Sequence, residues 1–361
     1  MALAVASTAM GYSFSQTVPS GQTLYFTITS TSEVKVVPPV AVGWIGYTAP
    51  TGRLTIPSTV QNGGSTYSVT AIDRMAFNEC YELTAVTIPG SVASIAMQAF
   101  AHDTMLTSVT MGEGVQRIDM MAFAMCSSLD TIVLPSTITR IAISAFDNTG
   151  FVNNEANWQG PMLILGQWVI KVGNLVEGMV TIPHGIVGLA NSSLLYCRYM
   201  DKIVLPSSLR YVGEGAFKDC YELDTIRMRG TNPPAVSDDS FDGISPLPIL
   251  VVPLGTSSVY AAAEVWCDFT IVEDSYVRPH PPMPPIGIDD VQAPSLVVSV
   301  VDGGVMVIGA EGQNLTVCDV AGRQVAAVTN AMHTQYLPLS ATGVYVVIPS
   351  VGPSLKVSYS K

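Results

Sequence analysis

Apolar and polar residues alternate in short stretches along most of the chain. In "LTAVTIP" (83–89), Leu83, Val86 and Ile88 point inward and the polar residues between them point outward. This pattern predicts a short β-strand with one buried face. Pro89 follows at the point where the strand must stop donating hydrogen bonds to its neighbours.

A second apolar set follows the strand on a return path. "SVASIAMQAF" (91–100) carries Val92, Ile95, Ala99 and Phe100. A single unit of this kind exposes apolar residues at both ends, so it can bury them only against similar units. Stacked units of this kind form a solenoid.

The unit recurs with a period of 23 residues, and this repeat is the strongest pattern in the sequence. The positions that keep the spacing are Phe77, Phe100, Phe123 and Phe146; Leu83, Leu106 and Leu129; Ile88, Met111 and Leu134; Ile182, Leu205 and Met228; and Leu194 with Phe217.

The repeated phrase resembles a known family. Its L-x-x-I-x-I-P strand, S-V-x-x-I-x-x-x-A-F return path and C-x-x-L junction are similar to the BspA-like leucine-rich repeats of bacterial surface proteins. The resemblance covers about residues 10–274, with an opening hairpin at 52–77, an inserted hairpin at 160–172 and a closing unit at 232–274. It implies a mainly β fold, a right-handed leucine-rich-repeat solenoid with a parallel sheet on one face, used for binding.

The last part of the chain has a different pattern, short alternating strands separated by glycine-containing turns. This spacing predicts a small antiparallel β-sandwich. The stretch resembles the C-terminal sorting domains of the type IX secretion system at Asp319, Gly322, Arg323, Gly343, Tyr345 and Lys356. The resemblance implies export across an outer membrane and attachment to the surface. The alternative is an accessory sandwich with no such role.

These patterns predict four segments. They are 1–51, an N-terminal segment with capping strands; 52–274, the solenoid, with a hairpin insert near 150–178 and a C-terminal cap at 231–274; 275–290, a proline-rich spacer; and 291–361, the sandwich.

Composition narrows the classes of function. The 361 residues carry a net charge of −12, so the chain lacks the clustered positive charge that nucleic-acid binding requires. No apolar stretch approaches 20 residues, so we expect no membrane-spanning helix. The opening "MALAVASTAM" has no basic region, so it is expected to be a trimmed remnant or an artificial start rather than a complete signal peptide.

Four cysteines share one position of the repeat, three residues after the phenylalanine or leucine: Cys80, Cys126, Cys197 and Cys220. Asp103 and Thr149 fill the same position in other repeats. A small buried thiol is the favoured interpretation. A disulfide between Cys197 and Cys220, one repeat apart, remains open. No C-x-x-C pair occurs, so we predict no metal and no cofactor.

Candidate catalytic chemistry is sparse. His102, His184, His280 and His333 share no position in the repeat, and no H-E-x-x-H, G-x-S-x-G or Walker pattern is present. The two "GEG" stretches, at 112–114 and 213–215, are interpreted as turns, and "SDDSFD" (237–242) is interpreted as a solvated loop. The sequence therefore predicts a protein that is not an enzyme.

The methionines leave two interpretations. Met97, Met120, Met121 and Met125 crowd one part of the array, and Met-rich surfaces adapt to partners. Met97 and Met120 share one position of the repeat, which favours packing inside the core over an adhesive stripe.

The remaining candidate site is the outward face of the strand ladder, which is mostly small and uncharged. Its predicted positions are Ala85, Thr87, Ser108, Thr110, Thr131, Val133, Lys202, Val204, Thr225 and Arg227. Contact hot spots in proteins favour aromatic residues and arginine, and only Arg227 qualifies here. Better candidates are the tyrosines beside the strands, Tyr81, Tyr196 and Tyr221, and the insert tryptophans Trp158 and Trp168. Packing at the rim is the competing explanation for them.

The leading hypothesis is an exported, outer-membrane-associated, adhesin-like surface protein that binds an extracellular protein or matrix ligand without catalysis. Two alternatives remain, a glycan-binding accessory protein and a purely structural scaffold. The ligand, the oligomeric state and the face that binds are left open.

Overall fold

The computed structural model describes residues 12–41 and 43–274, and after them the segments 297–301, 304–308, 315–319, 324–328, 334–339, 343–349 and 355–359. The chain divides into two compact units, Met1–Pro281 and Pro282–Lys361. The predicted spacer at 275–290 lies outside the described residues. The division into four segments remains a prediction.

Short strands dominate the first unit. In chain order they are β1 (Phe14–Thr17), β2 (Thr23–Ile28), β3 (Glu33–Val37), β4 (Gly52–Thr55), β5 (Thr59–Asn62), β6 (Ser65–Ile72), β7 (Leu83–Ile88), β8 (Ser94–Ile95), β9 (Ser108–Met111), β10 (Arg117–Ile118), β11 (Thr131–Val133), β12 (Arg140–Ile141), β13 (Trp158–Gln159), β14 (Met162–Leu165), β15 (Trp168–Val172), β16 (Glu177–Thr181), β17 (Gly188–Leu189), β18 (Tyr199–Leu205), β19 (Tyr211–Val212), β20 (Thr225–Met228), β21 (Ala235–Val236), β22 (Ile249–Pro253) and β23 (Thr270–Asp274). The helices are α1 (Gly150–Asn153), α2 (Ser257–Ala261) and two 3-10 turns, Glu155–Asn157 and Trp266–Asp268.

The longer strands of successive repeats form a parallel ladder, as the sequence predicts. The ladder consists of a sheet in the order β11-β9-β7-β4 and a sheet in the order β16-β18-β20-β22-β23. Equivalent residues pair one period apart, for example Ala85 with Ser108 and Ser108 with Thr131. The mainly β solenoid is therefore confirmed.

The two-residue strands form a second ladder on the return path. One part runs β6-β8-β10-β12 and continues from the N-terminal strands β1, β2 and β3, and the other runs β15-β17-β19-β21. Each short strand turns one residue inward and one outward. Ile95, Ile118 and Ile141 are buried, whereas the residue before each of them is at least partly exposed.

A column of stacked aromatic rings runs through the core. Phe77, Phe100, Phe123 and Phe146 stack nearly parallel, with ring centroids 4.9, 5.1 and 5.6 Å apart. Trp44 continues the column beyond Phe77 at 6.3 Å. Identical rings at a 23-residue spacing thus bury one another, which is why the position recurs.

Each repeat turns by means of two residues in the left-handed conformation. Among the described residues, eleven of the twelve non-glycine residues with positive φ fall at two positions of the repeat, four residues apart. This conformation directs the N–H along the solenoid. His102 N donates to Ala124 O at 2.9 Å, and Met125 N donates to Asp147 O at 2.8 Å. These turns donate backbone hydrogen bonds to the next repeat. The hydrogen bonds offset the conformational free energy that a left-handed residue costs.

The array is interrupted after β11. One period beyond this strand would fall at 154–156, where the chain instead forms α1 and a 3-10 turn. A hairpin of β14 and β15 follows, and β15 pairs in parallel with β17 in the short-strand ladder. The interrupted repeat therefore keeps a short strand and lacks a long one.

The first unit consequently has two hydrophobic cores. One core extends from Val18 to Phe146 and includes Trp168, and the other includes Val169 and continues to Phe269. Adjacent residues of β15 thus belong to different cores. At the C-terminal end, the Trp266 indole donates to Pro234 O at 2.8 Å and the Tyr260 hydroxyl donates to Gly230 O at 2.9 Å, which closes the second core.

The cysteine position is buried, as expected. Cys80, Cys126, Cys197 and Cys220 are buried free thiols. Cys126 Sγ donates to Phe100 O at 3.0 Å, and Cys220 Sγ donates to Leu194 O at 3.1 Å. These thiols satisfy a carbonyl of the preceding repeat, which gives the position a structural role.

The second unit contains strands β24 (Val297–Val301), β25 (Gly304–Ile308), β26 (Leu315–Asp319), β27 (Gln324–Val328), β28 (Thr334–Pro338), β29 (Gly343–Pro349) and β30 (Leu355–Tyr359). They form two antiparallel sheets, in the orders β24-β25-β28 and β27-β26-β29-β30. The predicted antiparallel sandwich is therefore confirmed, and its core lies between Val305, Leu337, Val317 and Tyr345. Gly322 and Arg323, which carry part of the resemblance to sorting domains, lie outside the described residues.

Glycines allow two successive turns to approach closely. A Cβ on Gly114, whose φ is +121°, would stand 2.0 Å from Gly90 O. We expect Gly114→Ala to lower the free energy of unfolding by about 2 kcal/mol, measured by urea denaturation. The control is Gly63→Ala, which also has a positive φ but no atom within 4 Å of the added Cβ, and which should cost about 1 kcal/mol. Equal costs would show that the close approach has no energetic consequence.

Candidate functional site

The predicted outward positions of the ladder lie on one face, and most of them are accessible. Thr87, Thr110, Thr131, Val133 and Lys202 are exposed. The partly exposed positions are Ala85, Ser108, Thr225 and Arg227.

Val204 is an exception, and its prediction as an exposed contact residue is wrong. Its side chain is only 6% exposed although its position in the ladder faces outward. Strand pairing places Arg227 directly beside it. The long stem of an arginine covers a neighbouring valine on the face of a sheet.

Arg227, the only arginine among these predicted positions, is engaged within the chain. Its guanidinium forms an ion pair with Asp274 at the end of the last strand. Three of the five predicted positions that are exposed are threonines, which offer small hydroxyl groups and no aromatic anchor.

A stronger candidate lies at the edge of the ladder, next to the start of β18. Arg198 Cζ stands 5.2 Å from the ring centroid of Tyr196 and 5.8 Å from that of Tyr221. Both tyrosines and Arg198 are exposed, as is the adjacent Tyr199. We refer to Tyr196, Arg198, Tyr199 and Tyr221 as the tyrosine–arginine cluster.

The repeat explains why these residues meet. Arg198 and Tyr221 each follow a buried cysteine and lie one period apart, so stacking the repeats brings them side by side. Tyr196 occupies a left-handed turn position, with φ +62°. Tyr221 donates its hydroxyl to Asp219 Oδ1 at 2.9 Å, and this hydrogen bond raises the pKa of Tyr221. The cluster is thus held in place before any ligand binds.

Tyr81 occupies the same position of its own repeat as Tyr221. It is 51% exposed, and Tyr221 is 56% exposed. The next repeat has Thr104 at this position, so Tyr81 has no arginine beside it there. Both tyrosines are accessible, and their role as contact residues stays a prediction. Sequence reasoning missed Arg198 and Tyr199, although comparing the residues that follow each cysteine would have found Arg198.

The insert tryptophans differ from each other. Trp158 is partly exposed and donates its indole N–H to Val152 O at 3.1 Å. Trp168 is only 3% exposed, so its interpretation as an exposed contact residue is wrong. Its ring lies over Gly188, where an added Cβ would stand 2.4 Å from it.

The core interpretation of the methionines is also wrong. Met120 and Met125 are 40% and 39% exposed, and Met97 is partly exposed. These residues lie at the corner where each repeat turns: Met125 is itself a left-handed residue, and Met97 and Met120 each directly precede one. A shared position in the repeat thus indicates equivalent environments without making them buried ones.

The carboxyl group with the strongly raised pKa, that of Asp103, has a structural role and is not accessible to a ligand. Asp103 is completely buried in the cysteine position, and its Oδ1 accepts a hydrogen bond from Cys80 N at 2.8 Å. Asp103 Oδ2 has no partner. Burial raises the pKa of Asp103 well above its usual range, and burial also raises the pKa values of the Cys80 and Cys126 thiols.

Within the described residues, no three His, Cys, Asp or Glu side chains converge to hold a metal ion. In the same part of the chain, no helix is long and apolar enough to cross a membrane.

Comparisons with known proteins identify the repeat. Six copies of the BspA type leucine-rich repeat region match residues 57–157 and 177–263, just over half of the chain. A leucine-rich repeat protein from Bacteroides capillosus is 27% identical over 36% of this chain and 91% of its own, with a TM-score of 0.32. One from Bacteroides ovatus is 17% identical over 70% of this chain and 97% of its own, also with a TM-score of 0.32.

A leucine-rich cell surface protein from Faecalibacterium prausnitzii is 18% identical over 72% of this chain and 94% of its own, with a TM-score of 0.25. The comparison with curated proteins finds no match. The matched copies cover both arms of the solenoid on either side of the inserted hairpin, and on this match the chain belongs to the BspA-type leucine-rich repeat family.

Proposed function

We propose that this chain is a non-catalytic, adhesin-like binding protein whose solenoid presents the tyrosine–arginine cluster to a protein or matrix ligand outside the cell. The observation that carries the proposal is the placement of Arg198 against Tyr196 and Tyr221 on an exposed surface. Tyrosine and arginine dominate the residues whose truncation weakens protein interfaces.

Preorganisation strengthens the case for this cluster over the ladder face. Arg198 is held against two rings, and Tyr221 is anchored by Asp219. Side chains that are ordered before binding lose less conformational entropy when an interface forms. The threonines of the ladder face have no comparable support.

Charges of both signs surround the cluster. Lys202 lies 3.7 Å from Asp201, and Lys218 lies 3.3 Å from Asp242. Exposed pairs of this kind contribute little energy, but they form the polar rim typical of protein interfaces. An aromatic centre with a mixed-charge rim fits a folded protein better than a highly charged polymer.

Export to the outer membrane surface is the second part of the proposal. It is supported by the resemblance of the repeats to those of bacterial surface proteins and by the antiparallel sandwich of the second unit. In this arrangement the sandwich would serve as the sorting module, and the solenoid would be the part that meets the ligand.

An array of immobilised extracellular-matrix and bacterial surface proteins, probed with the full chain, tests the proposal. We expect at least one array protein to bind, and we expect Arg198→Ala and Tyr221→Ala each to weaken that binding about tenfold or more. Tyr81→Ala is the matched control, because it removes an equally exposed tyrosine from the same position of another repeat.

Failure to bind any array protein would contradict the proposal, and so would an equal loss from Tyr81→Ala. If neither proteins nor glycans bind, the remaining hypothesis is a scaffold.

A further inference from the structure

A groove of about 200 Å³ opens on the outer face of the short-strand ladder, where the inserted hairpin meets the second arm of the solenoid. Its lining includes Trp168 and Tyr211 from neighbouring strands, with Arg140, Asn191 and Glu214 at the turns. The tyrosine–arginine cluster does not line this groove. The groove is therefore a separate candidate site.

The floor of the groove is aromatic. The rings of Trp168 and Tyr211 stack with centroids 5.9 Å apart and an angle of 9° between their planes. Gly188 makes this possible, because only a residue without a side chain leaves room for the Trp168 ring to lie over the strand. Tyr211 is partly exposed, so its ring is available for stacking. Flat aromatic faces pack against the C–H groups of sugar rings.

The wall of the groove is polar, and only some of its polar atoms have hydrogen-bond partners among the described residues. Arg140 Nη2 contacts both carboxylate oxygens of Glu214, at 2.9 and 3.1 Å. Asn191 Nδ2 also donates to Glu214 Oε2, at 3.0 Å. Arg140 Nη1 makes no hydrogen bond to the described residues, and neither do the hydroxyl groups of Tyr211 and Ser237. Donors and acceptors thus converge beside the aromatic floor.

This arrangement selects a neutral polar ligand. The Arg140–Glu214 pair carries no net charge, so an anion that approached Arg140 would also approach Glu214. A sugar hydroxyl donates one hydrogen bond and accepts others, so it can engage the arginine and the glutamate together. An apolar ligand would leave Arg140 Nη1 and the hydroxyl groups of Tyr211 and Ser237 without partners.

The site extends beyond one sugar ring. Trp168 also lines a second groove, of about 300 Å³, together with Glu113, Ser136 and Gln167. Trp168 is common to the lining of both grooves, which makes the second groove the candidate for a further sugar ring. We propose that these two grooves bind a neutral oligosaccharide, with Tyr211 as the stacking residue and Arg140 and Glu214 as its hydrogen-bonding partners, and with Asn191 holding Glu214 in place.

A panel of neutral tetrasaccharides built from glucose, mannose, galactose or N-acetylglucosamine tests the proposal, with sialylated and uronic-acid glycans as the acidic comparison. The full chain is titrated by calorimetry. We expect at least one neutral member to bind, and we expect Tyr211→Ala and Glu214→Gln each to weaken binding at least tenfold.

Tyr81→Ala is the control, because it removes an exposed tyrosine that lines neither groove and lies outside the tyrosine–arginine cluster, so it should leave glycan binding unchanged. Glu214→Gln keeps the shape of an exposed side chain, so it tests the groove even if Tyr211→Ala disturbs the stack with Trp168. Three outcomes would overturn the proposal: no neutral glycan binds, only acidic glycans bind, or neither groove variant weakens binding. These three outcomes are measured separately from protein binding on the array and from the effect of Arg198→Ala. The glycan proposal can therefore fail while the proposed protein binding stands, and the reverse.

Discussion

Replacing Phe123 by alanine is expected to lower the free energy of unfolding of the solenoid by about 3–5 kcal/mol. The ring is completely buried and stacks on both sides, against Phe100 at 5.1 Å and Phe146 at 5.6 Å. Its removal leaves a cavity in the middle of the column that rigid stacked repeats cannot close. Urea denaturation followed by circular dichroism measures the change.

Phe123→Leu is the matched control, because the chain itself places Leu194 at this position in another repeat, fully buried. Leucine fills more of the space, so the cost should fall to about 1–2 kcal/mol. If alanine were no more damaging than leucine, the aromatic column would not be a main source of stability.

Asp103→Asn is expected to stabilise the protein at neutral and alkaline pH, since it removes a carboxyl group whose pKa burial raises well above its usual range. The folded-state pKa is raised above the unfolded value, so the folded protein binds this proton more tightly. The carboxyl group therefore costs nothing below the unfolded pKa. Its cost grows as the pH rises from there to the folded-state pKa, and is constant above it.

The asparagine variant has no such titration. The difference in melting temperature between Asp103→Asn and the parent should thus be small at pH 3–4 and should widen as the pH rises. Asparagine keeps an oxygen to accept the hydrogen bond from Cys80 N. Asp238→Asn, on an exposed loop, is the control and should show no such widening. A difference that stays constant with pH would contradict the raised pKa of the buried carboxyl group of Asp103.

The repetitive part of the fold could be predicted from sequence because each repeat meets the same neighbours. Register alone places the inward phenylalanines, the buried cysteines and the paired threonines such as Thr87 and Thr110. The interruption after β11 could not be predicted in this way. A segment that occurs once has no equivalent against which its register can be compared, so the insert near 150–178 could be expected only from the resemblance to the family. The parallel pairing of β15 with β17 becomes evident only in three dimensions.

The candidate site shows the same limit. The accessibility of Tyr81 and Tyr221 follows from their place beside the strands, but the contact of Arg198 with Tyr221 depends on two particular repeats being adjacent. The burial of Val204 depends on the length of its neighbour Arg227, and the exposure of Met120 on the corner where it lies. Contacts of this kind between two particular residues differ from one repeat to the next. The repeat pattern describes only the features that all repeats share.

The inserted hairpin has a consequence for how the solenoid unfolds. In a stacked array, cooperativity passes only between nearest neighbours, so it depends on every interface in turn. Next to the hairpin this coupling is carried by β15, which places Trp168 in one core and Val169 in the other, by the hydrogen bond from Asn191 N to Ile141 O and by the Arg140–Glu214 ion pair. The combined strength of these contacts therefore decides whether the two arms melt together or as separate blocks.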